Sequence, residues 1–337
     1  MDTARPFFTV VGKLETSMKQ KLLFSIGLVI SVVILNFFLI RLAPGDPAIT
    51  LAGQAGGADE ETLAHIRQIY GLDKPLFTQF FLYIGKMLTG DLGTSYFYNL
   101  PVLDLIRERV FPTLLLVISS LFISVGIGTI LGVLAARNPR GLLSYFVTFF
   151  SLGGYSVPTF WLGQMLLLAF AWYYPIFPIG GMQGFRVEGF LPQVADIAMH
   201  LFLPALSLGL AFMAQYSRVA RASMLEVLGS DFIRTARAKG AKESSVLFVH
   251  GLRNAILPVI TLAGLQLGQV ISGAVLVETV FDWPGLGRLA VDSIFRRDYP
   301  TVMGILFASA VVVVVINLLT DVVYRWADPR LRTNGGH

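Results

Sequence analysis

The chain has 337 residues, 55% hydrophobic and 14% charged, with no cysteine and a formal net charge of +5. A soluble domain carries roughly 25% charged residues, so this chain holds too little charge to wet a globule of its size. Disulfides, thiolate metal sites and cysteine nucleophiles are excluded together. With a mean hydropathy of +0.69, the class that remains is an integral membrane protein built from several helices.

Charge-free windows mark the spans. After a short N-terminal piece, 1–21, residues 22–40 lie between Lys21 and Arg41 without a charge and predict the first span. It is too long for a signal-peptide core and runs into the turn Pro44-Gly-Asp-Pro47, so it reads as retained. Segment 41–109 is the one sizeable polar piece. Asp59, Glu60 and Glu61 predict a helix start, with Leu63, Ile66 and Tyr70 on one face and Gly71 at its end. Phe77–Ile84 reads as an amphipathic helix lying on the membrane, and Val102–Val110 as a third short helix. These pieces form either a lid packed over the spans or a docking surface.

Further spans are predicted at 110–136, 141–174, 197–217, 257–277 and 299–324, each long enough to cross roughly 30 Å of hydrocarbon. The third lies in a charge-free window, 141–185, that could hold two spans. Cation placement arbitrates. Six spans with both termini cytoplasmic put 16 of the 26 cations inside, seven of them in the 218–253 loop, and leave 14 of the 21 acidic residues outside. A seventh span would turn that loop outward.

Two glycine pairs at GxxxG spacing, Gly128–Gly132 and Gly264–Gly268, predict close helix packing, and Pro158 predicts a kink. No Asp, Glu, Lys or Arg lies in any charge-free window, so the relay groups of proton-coupled carriers are absent from them. Neutral candidates remain: Ser151, Tyr155, Ser156, Gln164, Gln215, Gln266, Gln269 and Asn317. A pathway, if formed, is expected to use Tyr155, Ser156, Gln215, Gln266 and Gln269, and its energy must come from elsewhere. No phosphate loop and no clustered metal ligands occur; the histidines at 65, 200, 250 and 337 are scattered. The basic pI of 9.4 reflects orientation and anionic lipid better than nucleic acid.

The 218–256 loop carries the strongest signal. Ser230 or Asp231 can cap a short helix ending before Gly240, and a second helix runs from about Lys242 toward Pro258. The result is a compact knob, either an anchor on anionic lipid or a plug seated in a cytoplasmic partner. The string Asp231-Phe-Ile-Arg-Thr-Ala-Arg-Ala-Lys-Gly240, with Pro258 beyond it, resembles the EAA loop of binding-protein-dependent ABC importer permeases, in its dipeptide/oligopeptide branch. Other strings agree, in order: Arg41-Leu-Ala-Pro-Gly-Asp-Pro47, Gly90-Asp-Leu-Gly-Thr-Ser95, Pro101-Val, Leu105-Ile-Arg-Glu-Arg109, Ser156-Val-Pro-Thr-Phe-Trp-Leu-Gly163, Val277-Glu-Thr-Val-Phe-Asp-Trp-Pro-Gly-Leu-Gly287 and Arg297-Asp-Tyr-Pro300. The departure is Arg234, where the family's triplet carries Glu.

The resemblance implies an all-α polytopic protein of the type I importer permease (MetI-like) fold, with a helical extracytoplasmic segment between its first two spans and a second outer loop at 278–298. It implies a bacterial inner-membrane location and, as partners, a second permease, two cytoplasmic ABC ATPases and an extracytoplasmic solute-binding protein. ATP and Mg would sit on the ATPases, with no cofactor on this chain. The coupling residues would be Asp231, Arg234, Thr235, Ala236, Lys239, Gly240 and Ala241. The expected cargo is peptides, with nickel chelates, glutathione, opines or oligosaccharides as alternatives. The competing classes are a self-sufficient secondary carrier or channel, and a membrane-embedded enzyme.

Overall fold

A computed structural model describes residues 18–42, 49, 59–69, 73–153 and 157–327. Among them the regular structure is helical, with one isolated bridge between Thr94 and Pro101. The chain divides into two compact units, Met1–Leu92 with Leu306–Val314, and Gly93–Ile305 with Val315–His337.

In the first unit, α1 (Met18–Leu42) is apolar along its length. α2 (Glu60–Ile69) starts as its acidic first turn predicts, with Asp59 Oδ1 accepting from the Thr62 amide at 3.0 Å. The Thr62 hydroxyl first, and then this amide, hold the exposed Asp59 carboxyl below its usual pKa by hydrogen bonding. Tyr70 and Gly71 lie outside the described residues. α3 (Leu76–Leu88) follows Pro75, and its Phe80 and Tyr83 stand 5.2 and 5.8 Å from Phe37 of α1, ring centroid to centroid.

The second unit opens with α4 (Val102–Arg137), one continuous rod with a π-helical turn at Phe122–Ile127. The piece expected as a separate helix, Val102–Val110, is therefore the first part of this rod. Charge marks where a membrane can end, not where a helix must. α5 (Leu142–Gly153) and α6 (Thr159–Tyr173) divide the third window. Pro158 sits at the start of α6, where its missing N–H costs nothing, so the expected kink is a break between two helices.

α7 (Phe190–Leu228) is the longest element, with Pro204 inside it. It is followed by α8 (Asp231–Ala238), α9 (Glu243–Ala255), α10 (Leu257–Val280), α11 (Leu286–Phe295) and α12 (Tyr299–Ala327). α9 and α10 meet at a bend of 48°.

Three described helices are long and apolar enough to cross a bilayer: Val102–Arg137, Phe190–Leu228 and Tyr299–Thr320. The bent pair Glu243–Ala255 with Leu257–Gly264 makes a fourth if counted as one span. Shorter apolar helices, Leu23–Phe38, Leu142–Ser151 and Thr159–Tyr173, occupy the first and third windows.

The core of the second unit lies where α4, α6, α7 and α10 meet, with Leu116, Ala171, Leu208, Val270 and Val277 at its centre. Small residues bring the rods together. A Cβ on Gly132 would lie 2.5 Å from the Ser217 carbonyl oxygen, and one on Gly128 2.9 Å from that of Met213. The first glycine pair therefore packs directly on the α7 backbone. Gly268 of the second pair has nothing within 4 Å of its missing Cβ among the described residues, so they do not supply its expected packing.

Candidate functional site

The knob is built by local chain chemistry. α7 continues through Leu228, so the first third of the 218–256 loop is helix. The chain turns at Gly229-Ser230 and α8 begins. Ser230 occupies the N-cap position, but its hydroxyl donates back to the Val227 carbonyl at 2.6 Å instead of capping α8. The Asp231 side chain bonds Arg234 at 3.1 Å.

α8 ends in a Schellman motif: the Ala241 amide donates to the Ala236 carbonyl at 3.2 Å and the Gly240 amide to that of Arg237 at 2.9 Å. Gly240 has φ of +78° and open space around its missing Cβ. Backbone conformation alone therefore selects glycine here.

Arg237 then reaches across the turn to Glu243, its Nη2 donating to Oε1 at 2.9 Å and its Nε to Oε2 at 3.3 Å. The Arg237 hydrogen bond holds the Glu243 carboxyl below the usual range, against a small opposing effect of burial. The two sides of the turn are clipped together at little energetic gain, because both side chains are more than a third exposed.

The base of the knob is firm. Ile233 is the buried residue of α8. Met224, Leu247 and Ala255 pack with Val133 and Ala136 from the end of α4. A Cβ on Gly251 would stand 2.9 Å from Met224 Cε. Arg221 Nε donates to the buried Ser144 hydroxyl at 2.8 Å, tying α7 to α5. Above this base Asp231, Arg234, Thr235, Lys239 and Gly240 are exposed, while Ala236 and Ala241 are partly covered. All seven residues singled out from the sequence thus lie on one helix and its turn, five of them offered to solvent on a packed mount.

The intramembrane candidates are less unified. Gln266 of α10 donates from Nε2 to Gln215 Oε1 of α7, and Gln266 Oε1 is buried with no hydrogen-bond partner among the described residues. Ser151 donates to the Ala214 carbonyl at 2.9 Å, one residue from that pair. Gln269 lies on α10, but its side chain, like the whole of Tyr155 and Ser156, falls outside the described residues.

Sequence reasoning missed two buried carboxylates, having counted both as loop charges. At the far end of α10, Glu278 is fully buried. Its Oε1 accepts from the Thr113 hydroxyl at 2.6 Å and its Oε2 from the Arg288 amide at 3.0 Å. The Leu286 amide donates to the Thr113 hydroxyl at 2.8 Å, and the Trp283 indole to the Pro112 carbonyl at 2.9 Å. Asp298, equally buried, accepts from Ser95 Oγ at 2.5 Å, the Tyr96 amide at 2.9 Å and Thr301 Oγ1 at 2.6 Å. Both lie in strings that the sequence offered only as points of resemblance, Val277–Gly287 and Arg297–Pro300.

Comparison with known proteins agrees with this architecture. Residues 128–333 match the family described as binding-protein-dependent transport system inner membrane component, and residues 18–117 match its N-terminal family. The chain is 43% identical over 314 residues to the oligopeptide transport system permease protein AppB of Bacillus subtilis, covering 93% of this chain and 98% of that one. It is 38% identical over 337 residues to the dipeptide transport system permease protein DppB of Escherichia coli K12, covering 94% and 99%. To the glutathione transport system permease protein GsiC of Pectobacterium atrosepticum it is 41% identical over 315 residues, covering 93% and 97%. Among solved structures, an inward-facing MetNI methionine ABC transporter superposes with a TM-score of 0.51 at 18% identity, covering 67% of this chain and 97% of that one, and so supports the fold. The sequence matches and the helical architecture converge on one statement: the chain belongs to the family of binding-protein-dependent transport system inner membrane components.

Proposed function

We propose that this chain is a permease subunit of an ATP-driven importer, forming half of a translocation pathway for di- or oligopeptides delivered by a solute-binding protein. As a transport subunit it is not an enzyme; hydrolysis belongs to two partner ATPases carrying ATP and Mg, and a second permease completes the pathway. Six spans place both termini in the cytoplasm and the segments 41–109 and 278–298 outside. The observation that carries the reading is the α8 knob, solvent-exposed on a packed base between α7 and α10. A partner gripping α8 pulls on both rods at once, which is what coupling to an external ATPase requires.

Peptides are favoured because AppB and DppB, named for oligopeptide and dipeptide transport, align over nearly the whole chain. The neutral pair Gln215–Gln266 suits a zwitterionic or varied cargo better than a charged relay would. Purification of a tagged chain from its native membrane in mild detergent is the test. A second permease and ATPase chains should co-elute, with ATP hydrolysis stimulated by binding protein and peptide and lost on deleting 231–247. A lone chain that moves solute into liposomes without ATP would establish the secondary-carrier alternative instead.

A further inference from the structure

α10 has the knob's return helix, α9, at one end and Glu278 near the other, in a rod roughly 36 Å long for its 24 residues. At that far end the chain is shaped around a carboxylate. A Cβ on Gly285 would lie 2.1 Å from the Glu278 carboxyl, and one on Gly287 2.6 Å from Val275 Cα and 2.9 Å from Glu278 Oε2. Two glycines let the backbone close over the charge and aim the Arg288 amide at it. Thr113 completes the joint, receiving the Leu286 amide and donating to Glu278, so that α4, α10 and α11 share one hydrogen-bonded junction.

The burial is expensive, and an apolar filler of the same volume would cost less. What the carboxylate adds is direction. An apolar contact can slide by an ångström with little loss, whereas bonds of 2.6 and 3.0 Å to two elements cannot. Asp298 extends the same rigidity, fixing the loop 95–98 to the first turn of α12. Residues 93–113 and 278–301 thus form a single stiff piece to which α10 is pinned.

We propose that Glu278 is a positioning residue that clamps α10 to this outer piece, so that a solute-binding protein seated on the piece displaces α10 and, through α9, the α8 knob. The inference rests on the importer reading above and adds to it the route by which an outside event reaches the ATPases.

The test uses the whole complex, reconstituted in lipid nanodiscs, with ATP hydrolysis measured alone and with loaded binding protein. Glu278→Gln places an amide N–H₂ where donors already point, and Thr113→Val deletes the hydroxyl while keeping its shape. Each should leave basal hydrolysis within about twofold of wild type. Each should cut stimulation by the binding protein by about fivefold or more, the lower edge of ordinary coupling. The double variant should be no worse than the stronger single one, because both break one junction. Thr113→Ser, which keeps the hydroxyl, should restore stimulation, and the contrast between Thr113→Val and Thr113→Ser carries the test if Glu278→Gln fails to assemble. Full stimulation in both disruptive variants would overturn the clamp. So would basal and stimulated rates falling in equal proportion, which marks a structural role alone. A wild-type complex that assembles yet ignores the binding protein would strike at the importer reading instead.

Discussion

Gly240 shows how a residue can be required for its backbone alone. With φ of +78° and nothing near its missing Cβ, a substitution meets strain and no clash, a cost of roughly 1–2 kcal/mol for an ordinary side chain and less for Asn. Gly240→Val should insert normally but lose most transport, whereas Gly240→Asn should keep the greater part; uptake assays at matched membrane levels decide it. The clip across the same turn gives a pH expectation. Glu243 is held low by Arg237, so its contribution is present above the ordinary carboxylate pKa and is lost as pH falls through the lowered one. Coupled hydrolysis should therefore show no step from this pair between pH 6 and 8, and Glu243→Gln should weaken coupling only slightly, since the pair is screened by solvent. Gly240 was legible in the sequence because glycine advertises positive φ. The same backbone position is filled at the end of α10 by Asp282, with φ of 54°, and at the end of α11 by Arg297, with φ of 55°. Arg297 gives no sign of such a turn, and Asp282 a weaker one than glycine. Glu278 was illegible for a related reason: a lone acidic residue reads as solvated, and its partner Thr113 lies 165 positions away.

Helix-to-helix contacts separate the two glycine pairs that look alike in the sequence. Gly132 faces the α7 backbone at a distance no methyl can occupy, so Gly132→Ala must push the rods apart, at roughly 1–3 kcal/mol. Gly268→Ala adds a methyl to space left open among the described residues. Thermal unfolding of the purified chain in one detergent should show a clear drop for the first and little change for the second. A large drop at Gly268 would mean that its face is covered by another chain under those conditions. The spacing revealed both pairs but not what each one meets, because GxxxG describes one helix and packing needs two. Helix limits and span limits differ for a related reason. Arg109, after Asp104, Arg107 and Glu108, set the start of the expected span at Val110, yet the helical hydrogen bonds run on through these charges to Val102. Pro158 was visible as a disruption, but whether it bends a helix or starts a new one depends on the residues before it.

Across the whole molecule, composition delivered the class and the pattern of cations an orientation, without reference to any fold. The chain's lack of cysteine makes that orientation easy to check, since single introduced thiols carry no background. In intact inverted and right-side-out vesicles, Lys239→Cys should react with an impermeant maleimide only from the cytoplasmic side, and Asp73→Cys only from the opposite side. Equal labelling of both from one side would break the six-span arrangement. A last consequence concerns α7. Its 39 residues run roughly 58 Å, against about 30 Å of hydrocarbon, so the helix is longer than a bilayer's apolar thickness by about 28 Å. Gly209 is its central residue, and there Ile123 of α4 presses so closely that a Cβ would sit 2.8 Å from it. A rod that turns about its midpoint moves its tips in opposite senses. A rigid turn of about 5° about Gly209 would swing each tip through about 2.5 Å, the α8 end and the Phe190 end in opposite directions.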